Sequence, residues 1–417
     1  MNKLMTNKLT ILKYYLKAKL FSKKATQKDY DKQIAYVKKH IPYYKNMDAI
    51  PIMDKKTMME HFDQLNALGI VKSDAMHLAL ESEKTRDFSQ RLKGVTVGLS
   101  SGTSGHRGIF LVSDQEQAMW VGNILAKALP KGKIKGHKVA FFMRADSKLY
   151  QAIQSKSISF EFFDMYKPIQ DNLDKLVSFQ PTILVAPPSM LMKIAKTVPD
   201  KLSPKRVISI AEVLEYEDSN YIKDKLKQDV IHQIYQCTEG FLGITCDKGT
   251  IHINEDFIYL EKEMIDEHRF YPIITDLKRR TQPMIRYRLN DILVMKSSPC
   301  SCGSKFIGLE KIEGRQDDIF IFKQNHQEIE VFPDFIRRCM LFINEEIEYR
   351  VFQHQNHDIT IYISKITDEI KESITKEFRQ LANDLGFEIP AFKFLPYEYD
   401  FSRKLKRIER ERAYAKS

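Results

Sequence analysis

Between Val95 and Glu239 the chain alternates short apolar runs with amphipathic stretches. Val95–Leu99, Lys138–Met143, Ile158–Phe163, Thr182–Ala186, Arg206–Ala211 and Val230–Tyr235 read as strands. Ser113–Ala128, Ile169–Phe179, Ser189–Lys196 and Glu217–Lys227 read as the helices between them. Strands alternating with helices predict parallel βαβ units, which bind ligands at the carboxyl ends of their strands. Glu212 and Glu239 each follow such a strand. From Thr250 to Leu293 the strands shorten and turns multiply, which predicts a β-rich subdomain. Gly314-Arg315-Gln316-Asp317-Asp318 is a polar break. The rest reads as a smaller α+β segment with a strand at Ile359–Ile363 and a helix at Glu369–Leu385. Residues 1–60 are helical and basic, interrupted at Pro42 and Pro51. The expected architecture is α/β, with a large N-terminal domain over 1–314 and a small α+β C-terminal domain over 315–417.

Composition narrows the class. With 417 residues, 43% apolar and 29% charged, the chain suits two or three globular domains. No run is long enough to cross a bilayer, and the lysine-interrupted N-terminus builds no secretory core, so a cytoplasmic protein is expected. The net charge is +11. Lysines crowd the first 45 residues (Lys13, Lys17, Lys19, Lys23, Lys24), and Arg403-Lys404-Leu405-Lys406-Arg407 is a second basic run. A basic amphipathic stretch such as Ile11–Phe21 suits an anionic membrane surface or an acidic partner, but more often it is a solvated helix face, which is the expectation here. Nothing resembles a nucleic-acid-binding module.

Ser100-Ser101-Gly102-Thr103-Ser104-Gly105-His106-Arg107-Gly108 lies between the strand-like Val95-Thr96-Val97 and Ile109-Phe110-Leu111-Val112. Glycines let such a backbone approach a ligand closely, and its hydroxyls and N–H groups suit a polyphosphate. It lacks the Gly-Lys-Ser/Thr ending of a Walker loop and the spacing of a dinucleotide fingerprint. An ordinary Gly/Ser loop is the alternative. Tyr235-Gln236-Cys237-Thr238-Glu239-Gly240 places an aromatic, a hydroxyl and a carboxylate where they could stack a purine, hold a phosphate oxygen and ligate Mg²⁺. In Arg286-Tyr287-Arg288-Leu289-Asn290-Asp291 the Asp offers two acceptor oxygens to a ribose diol. Each of these could equally be structural. Five cysteines argue against a disulfide framework. Cys246, His252, Cys300 and Cys302 could complete a tetrahedral Cys₃His site for structural zinc, with free buried cysteines as the alternative. Cys237 and Cys339 stand apart.

The loop, Y-x-x-T-E, Y-R-x-x-D and G-R-x-D-D follow one another in the order of the adenylate-forming superfamily, which this chain resembles over about residues 30 to 408. His40-Ile41-Pro42-Tyr43-Tyr44, Ala211-Glu212 and Val331-Phe332-Pro333 are similar to segments of its phenylacetate–CoA ligase branch, including that branch's deazaflavin-synthetase-like relatives. The resemblance implies ATP-dependent activation of a small carboxylic acid as acyl-adenylate, with transfer to a thiol of CoA or a carrier protein. It implies Ser101, Gly102, Thr103, Ser104 and Gly105 around the β- and γ-phosphates, and Tyr235, Ala211 and Glu212 at adenine. It implies Thr238 at the α-phosphate, Glu239 on Mg²⁺, Asp291 and Arg315 at ribose, and Asp317 as hinge. Lys404 would be the catalytic lysine, with Lys406 in reserve, and the cysteine/histidine set a zinc knuckle. Three departures stand out, one being Arg403 in place of the glycine expected before Lys404. No glycine follows Asp317-Asp318 in Ile319-Phe320-Ile321-Phe322-Lys323-Gln324-Asn325-His326, and Ile210 replaces the glycine expected before Ala211. An adenylyltransferase acting on a phenol and a non-catalytic nucleotide-binding protein are the other readings, and a homodimer is left open.

Overall fold

Ile183–Ala186 is apolar and buried at every position, as a strand covered on both faces must be. It sits mid-sheet in a computed structural model that describes residues 3–85, 87–100, 108–130, 136–143, 158–165, 167, 169–325, 327–340, 347–398, 400 and 405–411. The described helices are α1 (Lys3–Leu20), α2 (Gln27–His40), α3 (Lys55–Glu60), α4 (Lys72–Thr85), α5 (Asp114–Ala128), α6 (Ile169–Phe179), α7 (Pro188–Thr197), α8 (Tyr216–Lys225), α9 (Pro333–Met340) and α10 (Asp368–Leu385). The strands run from β1 (Thr96–Leu99), β2 (Ile109–Val112), β3 (His137–Met143), β4 (Ile158–Asp164), β5 (Ile183–Ala186), β6 (Arg206–Ile210) and β7 (Ile231–Cys237) to β8 (Gly240–Thr245), β9 (Ile251–Ile253), β10 (Ile258–Met264), β11 (Arg269–Asp276), β12 (Tyr287–Arg288), β13 (Asp291–Met295) and β14 (Gly308–Arg315). They end with β15 (Phe320–Gln324), β16 (Gln327–Val331), β17 (Tyr349–Gln353), β18 (Ile359–Ile363), β19 (Phe392–Pro396) and β20 (Ile408–Arg410). The chain divides into two compact units, Met1–Leu289 with Val294–Lys311, and Asn290–Leu293 with Ile312–Ser417.

In the first unit β4, β3, β5, β6 and β7 lie side by side in that order, all parallel. Beyond β7 the sheet turns antiparallel through β8 and β9. A two-residue turn, Thr238-Glu239, joins β7 to β8. The pairing shifts between Tyr235 (opposite Gly243) and Gln236 (opposite Phe241), so Leu242 is a bulge residue with no opposite number. The result is the mixed α/β fold expected, with one correction. The strand expected at Val95–Leu99 is not in the parallel set; β1 and β2 form a separate antiparallel pair, Leu99 opposite Ile109. The physical reason is length. The residues between them are too few for the crossover a parallel pair requires.

Helix α1 packs on α5 at close range. A Cβ at Gly122 would lie 2.7 Å from the Ile11 carbonyl oxygen and 2.8 Å from Tyr14 Cβ, so only glycine lets the two backbones meet there. Helix α5 starts at a capping box: Glu116 N–H donates to Ser113 Oγ (3.3 Å) and Ser113 N–H donates to Glu116 Oε2 (2.8 Å).

In the second unit β19, β18, β17 and β20 form one sheet and β15 and β16 a hairpin. Asn325 at φ 46° supplies the left-handed turn residue of that hairpin. Helix α10 buries Ile374, Phe378, Leu381 and Ala382, one stripe at helical spacing, and ends on Gly386 at φ 72°. Among the described residues no helix is long and apolar enough to cross a membrane.

Candidate functional site

The Gly/Ser loop is anchored at both ends. Ser100 N–H donates to the Gly108 carbonyl (2.8 Å), and Ser100 Oγ accepts from Gly108 N–H (2.7 Å). Lys55 Nζ, at the start of α3, donates to the same hydroxyl oxygen at 3.1 Å. Ser101, Gly102, Thr103, Ser104 and Gly105 lie outside the described residues, as does Lys404.

Thr238 and Glu239 occupy the tight turn at the carboxyl end of β7, half-buried. Thr238 Oγ1 donates to Glu239 Oε2 at 2.8 Å. The buried phenol of Tyr287 also hydrogen-bonds Glu239; burial first, then the Glu239 charge, push its pKa far above the ordinary value. Beneath the turn lies Arg279, fully buried. Its Nη1 donates to the carbonyls of Thr238 (2.9 Å) and Glu239 (3.1 Å), and its Nη2 to the carbonyl of Leu111 on β2 (3.3 Å). Gln282 Oε1 accepts from Leu111 N–H at 2.9 Å. One short segment thus fastens the strand that follows the Gly/Ser loop to the turn that carries Glu239. Burial pulls Arg279 below its ordinary pKa against Glu116, Asp276 and Glu239, and a guanidinium keeps its charge there. Glu116 braces the same segment, its Oε1 accepting from the main-chain N–H groups of Arg280 (2.6 Å) and Thr281 (2.8 Å). Burial raises the Glu116 carboxyl, but hydrogen bonds from Thr281, Ser113 and Arg280 outweigh it and hold the pKa below the ordinary value.

At the end of β6, Ala211 has φ 67°, a left-handed backbone that costs a residue bearing Cβ about 1 kcal/mol. Strain of this kind gathers at functional sites. Glu212 follows, its Oε2 accepting from Ser189 N–H at 3.3 Å. Tyr235, on the neighbouring β7, is mostly buried. Phe142 on β3 and Phe163 on β4 stack on each other at 4.5 Å in the core and are fully buried.

In the second unit Arg315 Nε lies 3.3 Å from Asp291 Oδ1. Asp317 sits in a short 3₁₀ turn (Gln316–Asp318) and accepts from Asn290 Nδ2 at 2.9 Å. Lys406 Nζ donates to the buried Asp318 carboxylate at 2.9 Å.

The cysteine/histidine set also comes together. The donor atoms of Cys246, His252, Cys300 and Cys302 all lie within 4.8 Å of one another. Cys246 Sγ is 3.8 Å from Cys300 Sγ, and Cys302 Sγ is 3.3 Å from His252 Nε2. Bonds of about 2.3 Å from a tetrahedral zinc put two thiolates about 3.8 Å apart, so the donors fit that ion. His252 Nδ1 is engaged with the Phe306 carbonyl at 3.1 Å, which turns Nε2 toward the thiols. Main-chain N–H groups of Lys248 and Ser304 donate to Cys246 and Cys302 sulfur, 3.4 Å each.

Sequence reading missed Lys55, Arg279 and Tyr287. Tyr287 lay inside a motif already singled out; the other two carry no local signal.

No family model matches the chain. Protein CapK of Staphylococcus aureus is 24% identical over 217 residues, which spans 50% of this chain and 47% of that relative. A solved 2-hydroxyisobutyryl-CoA ligase, in the postadenylation state with R3-HIB-AMP, superposes at TM-score 0.66 and 14% identity over 95% of this chain and 92% of its own. Fatty acyl-adenylate ligases from E. coli and L. pneumophila superpose at TM-score 0.53 and 13% identity, covering 74% and 68%. The anthranilate CoA ligase AuaEII, solved with anthranoyl-AMP, gives 0.52 and 12%, covering 75% and 67%. The chain has the fold these ligases share.

Proposed function

We propose that the protein activates a carboxylic acid with ATP, forming an acyl-adenylate and releasing pyrophosphate, and then passes the acyl group to a thiol such as that of CoA. The observation that carries this reading is the Thr238-Glu239 turn. It stands at the carboxyl end of a parallel strand, and Arg279 ties it to the strand that leaves the Gly/Ser loop. The solved neighbours of the same fold, holding acyl-AMP ligands, support it.

In the adenylation step a substrate carboxylate oxygen bonds to the α-phosphorus as the bond to the pyrophosphate oxygen breaks. Both reactants are anions, so the protein's part is positioning and charge neutralisation. Ser101, Gly102, Thr103, Ser104 and Gly105 hold the β- and γ-phosphates, and Thr238 meets the α-phosphate. Tyr235, Ala211 and Glu212 line the adenine, and Asp291 with Arg315 takes the ribose. The half-buried Glu239 carboxylate, fixed by the Thr238 hydroxyl and the Tyr287 phenol, would hold Mg²⁺, whose charge offsets that of the phosphates. Lys404 bridges carboxylate and α-phosphate. Asp317 serves as hinge for a mobile C-terminal domain. Structural zinc on Cys246, His252, Cys300 and Cys302 braces the β-rich part of the first unit.

One observation favours a second reading, AMP transfer to a phenol. After Asp318 the chain enters β15 directly with Phe320 and Phe322 buried, and no glycine opens a path for a thiol arm.

A hydroxylamine trap tests both. The protein is incubated with ATP, Mg²⁺, a mixture of carboxylic acids and hydroxylamine, and products are read by mass spectrometry against Glu239→Ala. A hydroxamate formed only by the unaltered protein supports carboxylate activation and gives the acid by its mass. An AMP adduct from cell extract without any hydroxamate moves the function to nucleotidyl transfer. Equal product from Glu239→Ala overturns the role of that carboxylate.

A further inference from the structure

The amphipathic N-terminal stretch does not behave as a simple solvated face. On α1 it is leucines that point outward: Leu9, Leu12, Leu16 and Leu20 are 55%, 52%, 46% and 68% exposed, and Phe21 just after the helix is 67% exposed. A single exposed leucine is ordinary, but these four fall within an arc of about 80° on the helix surface. Lysines rim the row on both sides, Lys13 and Lys17 along one flank, Lys8 and Lys19 along the other, all exposed. The opposite face is already taken. Tyr15 is buried, Tyr14 packs on the Val112–Met119–Trp120 cluster, and the backbone of α1 abuts Gly122 of α5. The segment after the helix is also tied down: Ser22 Oγ donates to Asp256 (2.9 Å), Lys24 pairs with Glu255 (2.8 Å), and Ala25 N–H donates to the Glu255 carbonyl (2.6 Å). The leucine row therefore cannot roll inward.

The charge pattern selects the occupant. Helix α1 contains no acidic residue. Two copies of this face packed about a two-fold axis would set lysine rims against lysine rims. A planar, anionic, apolar-cored surface satisfies both parts at once, because leucines enter the acyl boundary while lysines meet phosphates. Lys17 also adds to the positive field that, after burial, lowers the pKa of Lys278. We propose that α1 is an in-plane docking helix that seats Leu9, Leu12, Leu16, Leu20 and Phe21 in the interface of an anionic bilayer, with Lys8, Lys13, Lys17 and Lys19 on the lipid phosphates.

The test is co-sedimentation of the full chain with vesicles of phosphatidylglycerol and phosphatidylcholine, with phosphatidylcholine vesicles as reference. Binding should be at least about tenfold stronger to the anionic vesicles and should fall with added salt. The double variant Leu12→Ser/Leu16→Ser, at exposed positions, should fold with an unchanged circular dichroism spectrum and bind about tenfold more weakly. Lys13→Glu/Lys17→Glu should lose binding to a similar extent. Three results would overturn the proposal: no binding to anionic vesicles; binding indifferent to the leucine pair, which means charge adhesion alone, as equal retention on poly-glutamate would also show; or a dimer in sedimentation velocity that the leucine variant dissolves, which assigns the face to a second copy.

Discussion

The guanidinium of Arg279 donates to the main-chain carbonyl of Thr238 at 2.9 Å from a fully buried position. Because its other nitrogen reaches Leu111, the side chain sets the distance between the two parts of the proposed nucleotide site. Arg279→Lys keeps the charge but cannot reach both carbonyl groups. We expect about a hundredfold loss of kcat in hydroxamate formation, as small misplacements of reacting groups produce. The measurement is steady-state kinetics of the purified variant alongside its melting curve. A folded Arg279→Lys protein with unaltered kcat would remove Arg279 from the positioning role.

Glu116 gives the fold an acid-sensitive brace. Its carboxyl is held below the ordinary pKa, so it stabilises the protein above its unfolded value of about 4.3 and loses that contribution as pH falls through the lower folded value. Glu116→Gln should cost about 1–3 kcal/mol at pH 7. Melting temperatures of both proteins, followed from pH 7 down to about pH 3, should converge at the acid end. A gap that stays constant over that range would show that the charge of Glu116 contributes nothing.

The sulfur and imidazole cluster should purify with close to one zinc per chain, read by plasma mass spectrometry. Cys300→Ser or His252→Ala should reduce the metal content and lower the melting temperature, since a structural zinc contributes directly to folding. A metal-free chain that melts identically with and without a strong chelator would leave four closely set side chains with no ion to hold.

The two C-terminal lysines should separate by phenotype. Lys406 neutralises Asp318, a carboxylate whose pKa burial raises and Lys406 opposes. Lys406→Met strands that buried acid and should cost about 3 kcal/mol of stability. Lys404→Met should leave melting unchanged and abolish hydroxamate formation. An active Lys404→Met beside a well-folded, inactive Lys406→Met would exchange the two roles.

The parallel strands were legible as short, mostly apolar runs between amphipathic stretches, and β5, apolar at every position, matches its expected run to within a residue. What apolar pattern does not encode is partnership. The stretch at Val95–Leu99 reads like the other strands, yet its strand β1 pairs antiparallel with β2, apart from the parallel set, since register and neighbours depend on loop length and on distant chain. Helix α1 was legible as amphipathic but not as to its buried face, because Ile11, Tyr14 and Tyr15 on one side are as apolar as the leucines on the other. Arg279 was invisible for a plainer reason. Its acceptor Leu111 is 168 residues away, and among so many basic residues a buried arginine looks like any solvated one. The cysteine/histidine cluster was legible by residue type and spacing, yet only folding shows that His252 turns Nε2 toward the thiols.

Leu242 has no opposite number on β7, and that spare residue makes the site a matter of counting. Paired residues share a face, so losing one residue of β8 between the turn and the bulge would let the spare residue close the gap, with Tyr235 still opposite Gly243. Losing one from β7 would instead slip the register by one and turn its side chains to the other face. Replacing Leu242 by another apolar residue would leave that phase intact. In a mutational library spanning this hairpin, single-residue deletions at Gly240, Phe241 or Leu242 should therefore be tolerated better than single-residue deletions in β7, where there is no spare residue to take up the loss.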